Sequence, residues 1–209
     1  MIGESAGMLA AGAAVVAAAE LDSTLALQLM VSRPIVLGPL LGLGMGNALM
    51  GAFVGLIVEL YSHDKIPIGG LIPANAAVSA GAGLLLALGP GAVGLPVAVP
   101  AGLFLGWLHE RLVDSPLRRR RGRLAHSTAE ALARGVDAPL GRMIAQELAL
   151  QFVATWALLI AALVVLKPLG MRTWAVLSPT ALGTGLWFAA LAAPWFGMGM
   201  LAHSLRLNR

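Results

Sequence analysis

Uncharged tracts dominate this chain, and their lengths predict membrane helices. Residues 8–19 are apolar and read as a short first helix. Residues 34–58, bounded by Arg33 and Glu59, carry no charge over 25 positions. At about 1.5 Å per residue, such a helix exceeds the roughly 30 Å hydrocarbon core. Gly38, Gly42 and Gly46 recur four apart within it, followed by Gly51 and Gly55. That spacing puts small residues on one face and lets backbones approach closely. Pro39 and the glycine-rich middle predict a discontinuous or re-entrant helix, tolerated where it is buried in protein or lines a cavity.

The next uncharged tract, 66–108, spans 43 residues and is too long for one crossing. Pro90, Pro96 and Pro100, with Gly89, Gly91 and Gly94, mark a turn that divides it into 71–88 and 97–108. The second piece is short and either begins earlier or re-enters. In the polar stretch that follows, 124–132 reads as a surface helix, with Gly135 and Pro139 as breakers. Residues 148–166 form a plain span ended by Lys167-Pro168. The uncharged tract 173–205, with Pro179 and Pro194, fits one kinked span or two shorter ones. The fold class expected is an all-α integral membrane protein, a polytopic bundle of about five to seven segments including a re-entrant or broken helix. It forms a single membrane domain over 1–209, with 110–147 as a basic cytoplasmic segment.

Composition agrees with the pattern. Charged residues are 11% of the chain and hydrophobic ones 58%, and mean hydropathy is +0.85. A soluble domain carries about a quarter charged residues, so most of this surface faces something other than water. The absence of cysteine excludes disulfides and thiolate chemistry. The four histidines, His63, His109, His126 and His203, lie far apart without an i, i+4 pair, which argues against a zinc cluster. Eight of the fourteen Lys and Arg fall between Arg111 and Arg142, including the run 118–121 and then Arg123. No aromatic platform accompanies them, so they read as a positive-inside segment rather than a nucleic-acid surface. The first basic residue is Arg33, and Glu4 stands where a signal peptide needs positive charge, so 8–19 reads as a helix, not a leader.

Ionisable side chains near mid-membrane cost about 2.5–3.5 kcal/mol on insertion scales and need a reason to be there. Arg33, Glu59, Asp64 and Lys65 bracket the glycine-rich segment, with Asp22, Gln28, Asn47 and Asn75 around it. Asp64 and Lys65 read as interfacial. Asn47 reads equally as a helix–helix hydrogen bond. Carboxylates accept from hydroxyl groups and amides both accept and donate, a combination suited to hydroxyl-rich ligands. Two motif matches carry nothing: Gly3–Gly7 fits G-x-S-x-G without a strand, and Gly89–Gly94 fits G-x-G-x-x-G without a strand–helix context.

At Val31-Ser32-Arg33-Pro34-Ile35-Val36 the chain resembles the IIC membrane component of the mannose/fructose/sorbose-type bacterial phosphotransferase system. The likeness continues through Gly38-Pro39-Leu40-Leu41-Gly42, Gly46-Asn47, Gly51 and Val58-Glu59-Leu60. It is clearest again at Ile66-Pro67-Ile68-Gly69-Gly70 and Ile72-Pro73-Ala74-Asn75-Ala76, and returns at Gly122-Arg123-Leu124-Ala125-His126. It is strong over about 21–80 and weak beyond Arg142.

The resemblance implies a multi-pass permease of the bacterial cytoplasmic (inner) membrane, enclosing a hexose-type sugar jointly with a IID membrane subunit. Cytoplasmic IIA and IIB phosphocarriers would deliver phosphate from phosphoenolpyruvate. The chain itself would be a transport subunit, assembling as an oligomer in the lipid bilayer, with no phosphorylated residue, cofactor, metal or nucleic acid. The substrate-binding set expected is Glu59, Asn75, Asn47 and Asp22, with Arg33 as organiser. Two departures stand out: relatives commonly have Asp in place of Asn47, and often Asp in place of Asn75. Relatives also continue past the equivalent of Arg209. These departures motivate a second expectation, a non-transporting scaffold or sensor that docks phosphocarriers on its arginine-rich segment.

Overall fold

The structure is a computed structural model that describes residues 2–24, 29–62, 74–89, 91–135, 137 and 139–207. Among these residues there is no strand, and the elements are α1 (Ile2–Thr24), α2 (Pro34–Gly44), α3 (Ala48–Ser62), α4 (Ala76–Ala87), α5 (Leu95–His109), α6 (Ser115–Ala133), α7 (Leu140–Leu177) and α8 (Ala181–Leu207). A π-turn, Glu110–Asp114, joins α5 to α6.

The glycine-rich tract read as one interrupted segment is two antiparallel helices. Pro34 opens α2, where its missing N–H costs nothing. The helix ends at Met45–Asn47, where Gly46 takes φ +82, open to glycine without a Cβ penalty. Asn47 restarts the chain by accepting from the Met50 N–H at 3.0 Å. The two helices meet backbone to backbone. A Cβ on Gly42 would lie 2.8 Å from the Gly51 Cα, and one on Gly38 would lie 2.9 Å from the Gly55 Cα. Spacing of four thus does what small-residue stripes do in membranes, although within a hairpin rather than between two spans.

A second hairpin follows the divided tract. α4 and α5 turn at 88–94 and pack through Gly102, where a Cβ would lie 2.8 Å from the Gly83 Cα. α4 is buried along nearly its whole length, from Ala77 to Leu86, and forms the centre of the bundle. Helices α1, α2, α3, α5 and α7 pack around it, while α8 leans on α3 and α5. The tips of the two hairpins meet, since a Cβ on Gly89 would touch the Met45 side chain.

With 11 and 12 residues, α2 and α4 reach only about 16–18 Å and cannot cross a bilayer. Among the described residues, two helices, α7 and α8, are long and apolar enough to do so. Their exposed residues include Val164, Val165, Phe188, Trp195 and Phe196, a surface suited to lipid.

Several sequence boundaries shift. The span expected to end at Lys167-Pro168 continues to Leu177, because the Lys167 ammonium donates to the Leu85 and Leu88 carbonyls (2.8 and 3.1 Å). Those carbonyls close α4, so the lysine caps a neighbouring helix instead of ending its own. Residues 173–177 finish α7, a turn follows at 178–180, and the rest of the final tract lies in one helix, α8. The short surface helix expected at 124–132 is part of the longer α6. Asp64, Lys65 and the Pro-Ile-Gly-Gly motif lie outside the described residues.

Candidate functional site

Both hairpins have their open ends, and α6 its arginines, at one end of the bundle. There the described polar residues fall into two groups. The first is a buried cluster supplied by α1, the N-cap of α4, the end of α5, the π-turn and α7. Glu20, His109, Gln151 and Thr155 are fully buried, and Asp114 is 3% exposed.

Two amides tie its two carboxylates together. Asn75 donates from Nδ2 to Glu20 Oε1 at 3.3 Å and to Asp114 Oδ2 at 3.1 Å, while its Oδ1 caps α4 at the Val78 N–H. Gln151 donates from Nε2 to both Glu20 oxygens at 3.1 Å and to Asp114 Oδ1 at 2.7 Å. His109 completes the cluster, with Nδ1 3.1 Å from Asp114 Oδ2 and Nε2 2.8 Å from the Thr155 hydroxyl. An ionised Asp114 requires the proton on Nδ1.

The π-turn makes this possible. In an α-helix, residues five apart point in different directions, about 100° per residue. Bonding from i to i+5 stacks them, so His109 and Asp114 share one inward face. The apolar part of α5 ends just before this turn, at a Phe104–Trp107 stack with the Arg111 guanidinium 5.2 Å from the Trp107 ring.

Within the turn, burial and the neighbouring Asp114 carboxylate push Glu110 up to about 7, against the pull of Arg118. Burial also opposes ionisation of Asp114, but the His109 hydrogen bond and charge, with the Asn75 and Gln151 amides, prevail and hold it at about 2. A carboxyl raised in the folded state binds its proton more tightly there, so stability falls as pH rises from about 4.5 to about 7. Asp114 adds no pH dependence across that window, being ionised in both states. The purified protein should therefore melt at a higher temperature at pH 5 than at pH 8, and Glu110→Gln should shrink that difference. An unchanged pH dependence in the variant would disprove the assignment.

The second group lies at the base of the α2–α3 hairpin. Arg33 bonds Glu59 at 2.8 Å, and the other Glu59 oxygen accepts from the Ile35 N–H at 3.4 Å. Glu59 therefore closes α3 and faces the first turn of α2. Asp22 accepts from the Leu29 N–H at 2.7 Å and from Ser32, organising the connection into α2. The five residues expected to form one site are thus divided. Asn75 sits in the buried cluster, Arg33 and Glu59 form a pair, Asp22 holds a loop, and Asn47 caps α3 at the far tip of its hairpin.

Glu20, His109, Asp114, Gln151 and Thr155 were not among the expected site residues. Glu20 carried a usable signal, a carboxylate at the end of an alanine-rich tract. The others carried little, because His109 and Asp114 share a face only through the π-turn. The arginine run is also divided. Arg118 bonds Glu110 at 3.2 Å, Arg120 bonds Glu147 at 2.9 Å, and Arg121 bonds Gln151 at 3.2 Å, so these three turn toward the bundle.

The carboxylate and imidazole ligand atoms of Glu20, His109 and Asp114 lie within 4.8 Å of one another. Amide N–H groups point at the same oxygens, an environment that favours hydrogen-bond donors over a cation. A separate cleft of about 250 Å³ between α3, α5 and α8, lined by Ile57, Tyr61, Leu95, Val99 and Leu186, is apolar and suits hydrocarbon.

Apolar helices around a buried cluster of carboxylates and amides define an all-α membrane protein with internal polar chemistry. Its family follows from comparison of the whole chain. The family model described as the sorbose-specific IIC component of the phosphotransferase system (PTS) matches residues 7–209, and the chain belongs to that family. It is a sugar-specific PTS permease component, and IIC components are membrane transport subunits. No curated protein and no solved structure gives a significant match.

Proposed function

We propose that this chain is the sugar-translocating IIC subunit of a phosphoenolpyruvate-dependent permease and binds a hexose-type sugar together with a IID subunit. The observation that carries the reading is the buried cluster of Glu20, Asn75, Asp114 and Gln151, to which α1, the N-cap of α4, the π-turn and α7 each contribute. Carboxylates that now accept from amides can accept from sugar hydroxyls, and the released amides can serve ring and hydroxyl oxygens. Glu59 and Arg33 support the neighbouring hairpin base, with Asp22 and Asn47 holding its connections. Phosphoryl transfer belongs to IIA and IIB partners.

Arginines concentrated at one end support placing 110–147 on the cytoplasmic side of a bacterial inner membrane, with several passes through it. That places the cluster near the face from which phosphocarriers approach.

A scaffold or sensor that docks phosphocarriers without moving sugar is the second reading. It is favoured by one observation: the cluster's carboxylates are already satisfied by its own amides, as a purely structural knot would be. Phosphoenolpyruvate-dependent phosphorylation of a hexose panel, in membranes holding this chain, IID and the soluble carriers, separates the two. Transport predicts turnover by the wild type and a KM raised about tenfold in Asn75→Ala, the cost of about one well-placed hydrogen bond. A fully assembled wild-type complex that phosphorylates no hexose would leave the scaffold.

A further inference from the structure

One arginine of the basic helix reaches the buried cluster, and it does so through an amide. Gln151 has two ends of similar size, one a donor and the other an acceptor. With Nε2 turned inward it bonds Glu20 and Asp114, whereas Oε1 in that position would set a carbonyl against two carboxylates. On its other side, Arg121 donates from Nη2 to Gln151 Oε1 at 3.2 Å. Arginine offers only donors, so the carbonyl end is the one that can face it. The guanidinium is braced in turn by its own helix, since Arg121 Nε donates to the Leu117 carbonyl at 3.3 Å. Arg118 and Arg120 are engaged elsewhere, with Glu110 and Glu147.

We propose that Arg121 is a positioning residue for sugar recognition, locking the Gln151 amide so that its N–H face is the one presented within the Glu20–Asp114 cluster. This rests on reading that cluster as the sugar site. Arg121 also places a positive charge one amide away from two buried carboxylates, where low polarity strengthens its effect. Without it, the Gln151 carbonyl loses its partner, and the amide's orientation rests on the two carboxylates alone, so the donor they face is held less firmly. The effect falls on sugar affinity, because Arg121 touches neither the sugar nor the phosphoryl donor.

The test is a double-mutant cycle in membranes carrying the complete permease. KM and maximal rate are measured for phosphoenolpyruvate-dependent phosphorylation of D-mannose, D-fructose and L-sorbose. The variants are Arg121→Ala, Arg121→Lys, Gln151→Ala and the Arg121→Ala/Gln151→Ala pair. Arg121→Ala should raise KM about tenfold with the maximal rate within about twofold, as expected for loss of one oriented hydrogen bond in binding. Lysine keeps the charge and a donor and should recover most of the loss. The pair should be no worse than Gln151→Ala alone, since both changes remove the same interaction.

Additive effects in the pair would overturn the proposal, as would an unchanged KM in Arg121→Ala beside a raised one in Gln151→Ala. If Arg121→Ala fails to assemble, the lysine variant decides: a KM close to that of the wild type supports positioning, and one as high as in Gln151→Ala refutes it. An unchanged KM in Gln151→Ala would remove the cluster from sugar binding and take both readings with it.

Discussion

A valine at position 51 is expected to keep the chain from accumulating as folded protein in the membrane. A Cβ there would run into the Gly38 carbonyl oxygen and come within 2.9 Å of the Gly42 Cα. These obstacles are backbone, which cannot rotate aside as a side chain can. Overpacking a close-packed interior costs about 1–3 kcal/mol, and a clash between two helix backbones belongs at or beyond the top of that range. Against a total stability of about 5–15 kcal/mol, the hairpin would splay and expose α4. Gly185→Ala is the control, because nothing lies within 4 Å of a Cβ there and alanine favours the helix. Membrane-inserted yield and melting temperature in detergent are the measurements. A Gly51→Val protein as abundant and as heat-stable as the wild type would show that the α2–α3 seam is looser than described.

Asp114→Asn is expected to have the largest effect of any single polar change. Asp114 accepts from Asn75 and Gln151 and bonds the His109 ring. An asparagine in its place has one acceptor oxygen, and whichever way it turns its NH₂ group faces a donor. Breaking a buried charged network costs about 3–5 kcal/mol when partners are left unsatisfied. We expect a lower melting temperature together with sugar phosphorylation reduced well beyond tenfold. Asp22→Asn offers the contrast. Asp22 holds a local loop at the edge of the bundle, so only a small change in melting temperature is expected there. Equal effects of the two substitutions on phosphorylation would detach the activity from the buried cluster.

The membrane character of this chain, its helical class and its interrupted helices were legible in the sequence. Long uncharged tracts leave few alternatives, because an unsatisfied backbone in lipid is too costly. The turn between α4 and α5 was equally plain, since prolines and glycines act locally. Asn75 could be picked out as a polar residue in an apolar setting, and the resemblance running from Arg33 to Ala76 pointed to the family that the whole chain matches.

The partners of those residues were decided by tertiary structure. Glu20 and Gln151 are 131 positions apart and meet only because α1 packs on α7. His109 and Asp114 face the same way only because the π-turn resets the helical phase, which no hydrophobic period announces. The arginine run shows the same division. Its charge marks one end of the molecule from sequence alone, but which arginines turn inward depends on where Glu110, Glu147 and Gln151 come to lie. Local propensity and the demands of lipid set the elements, whereas hydrogen bonds between elements distant in sequence set the site.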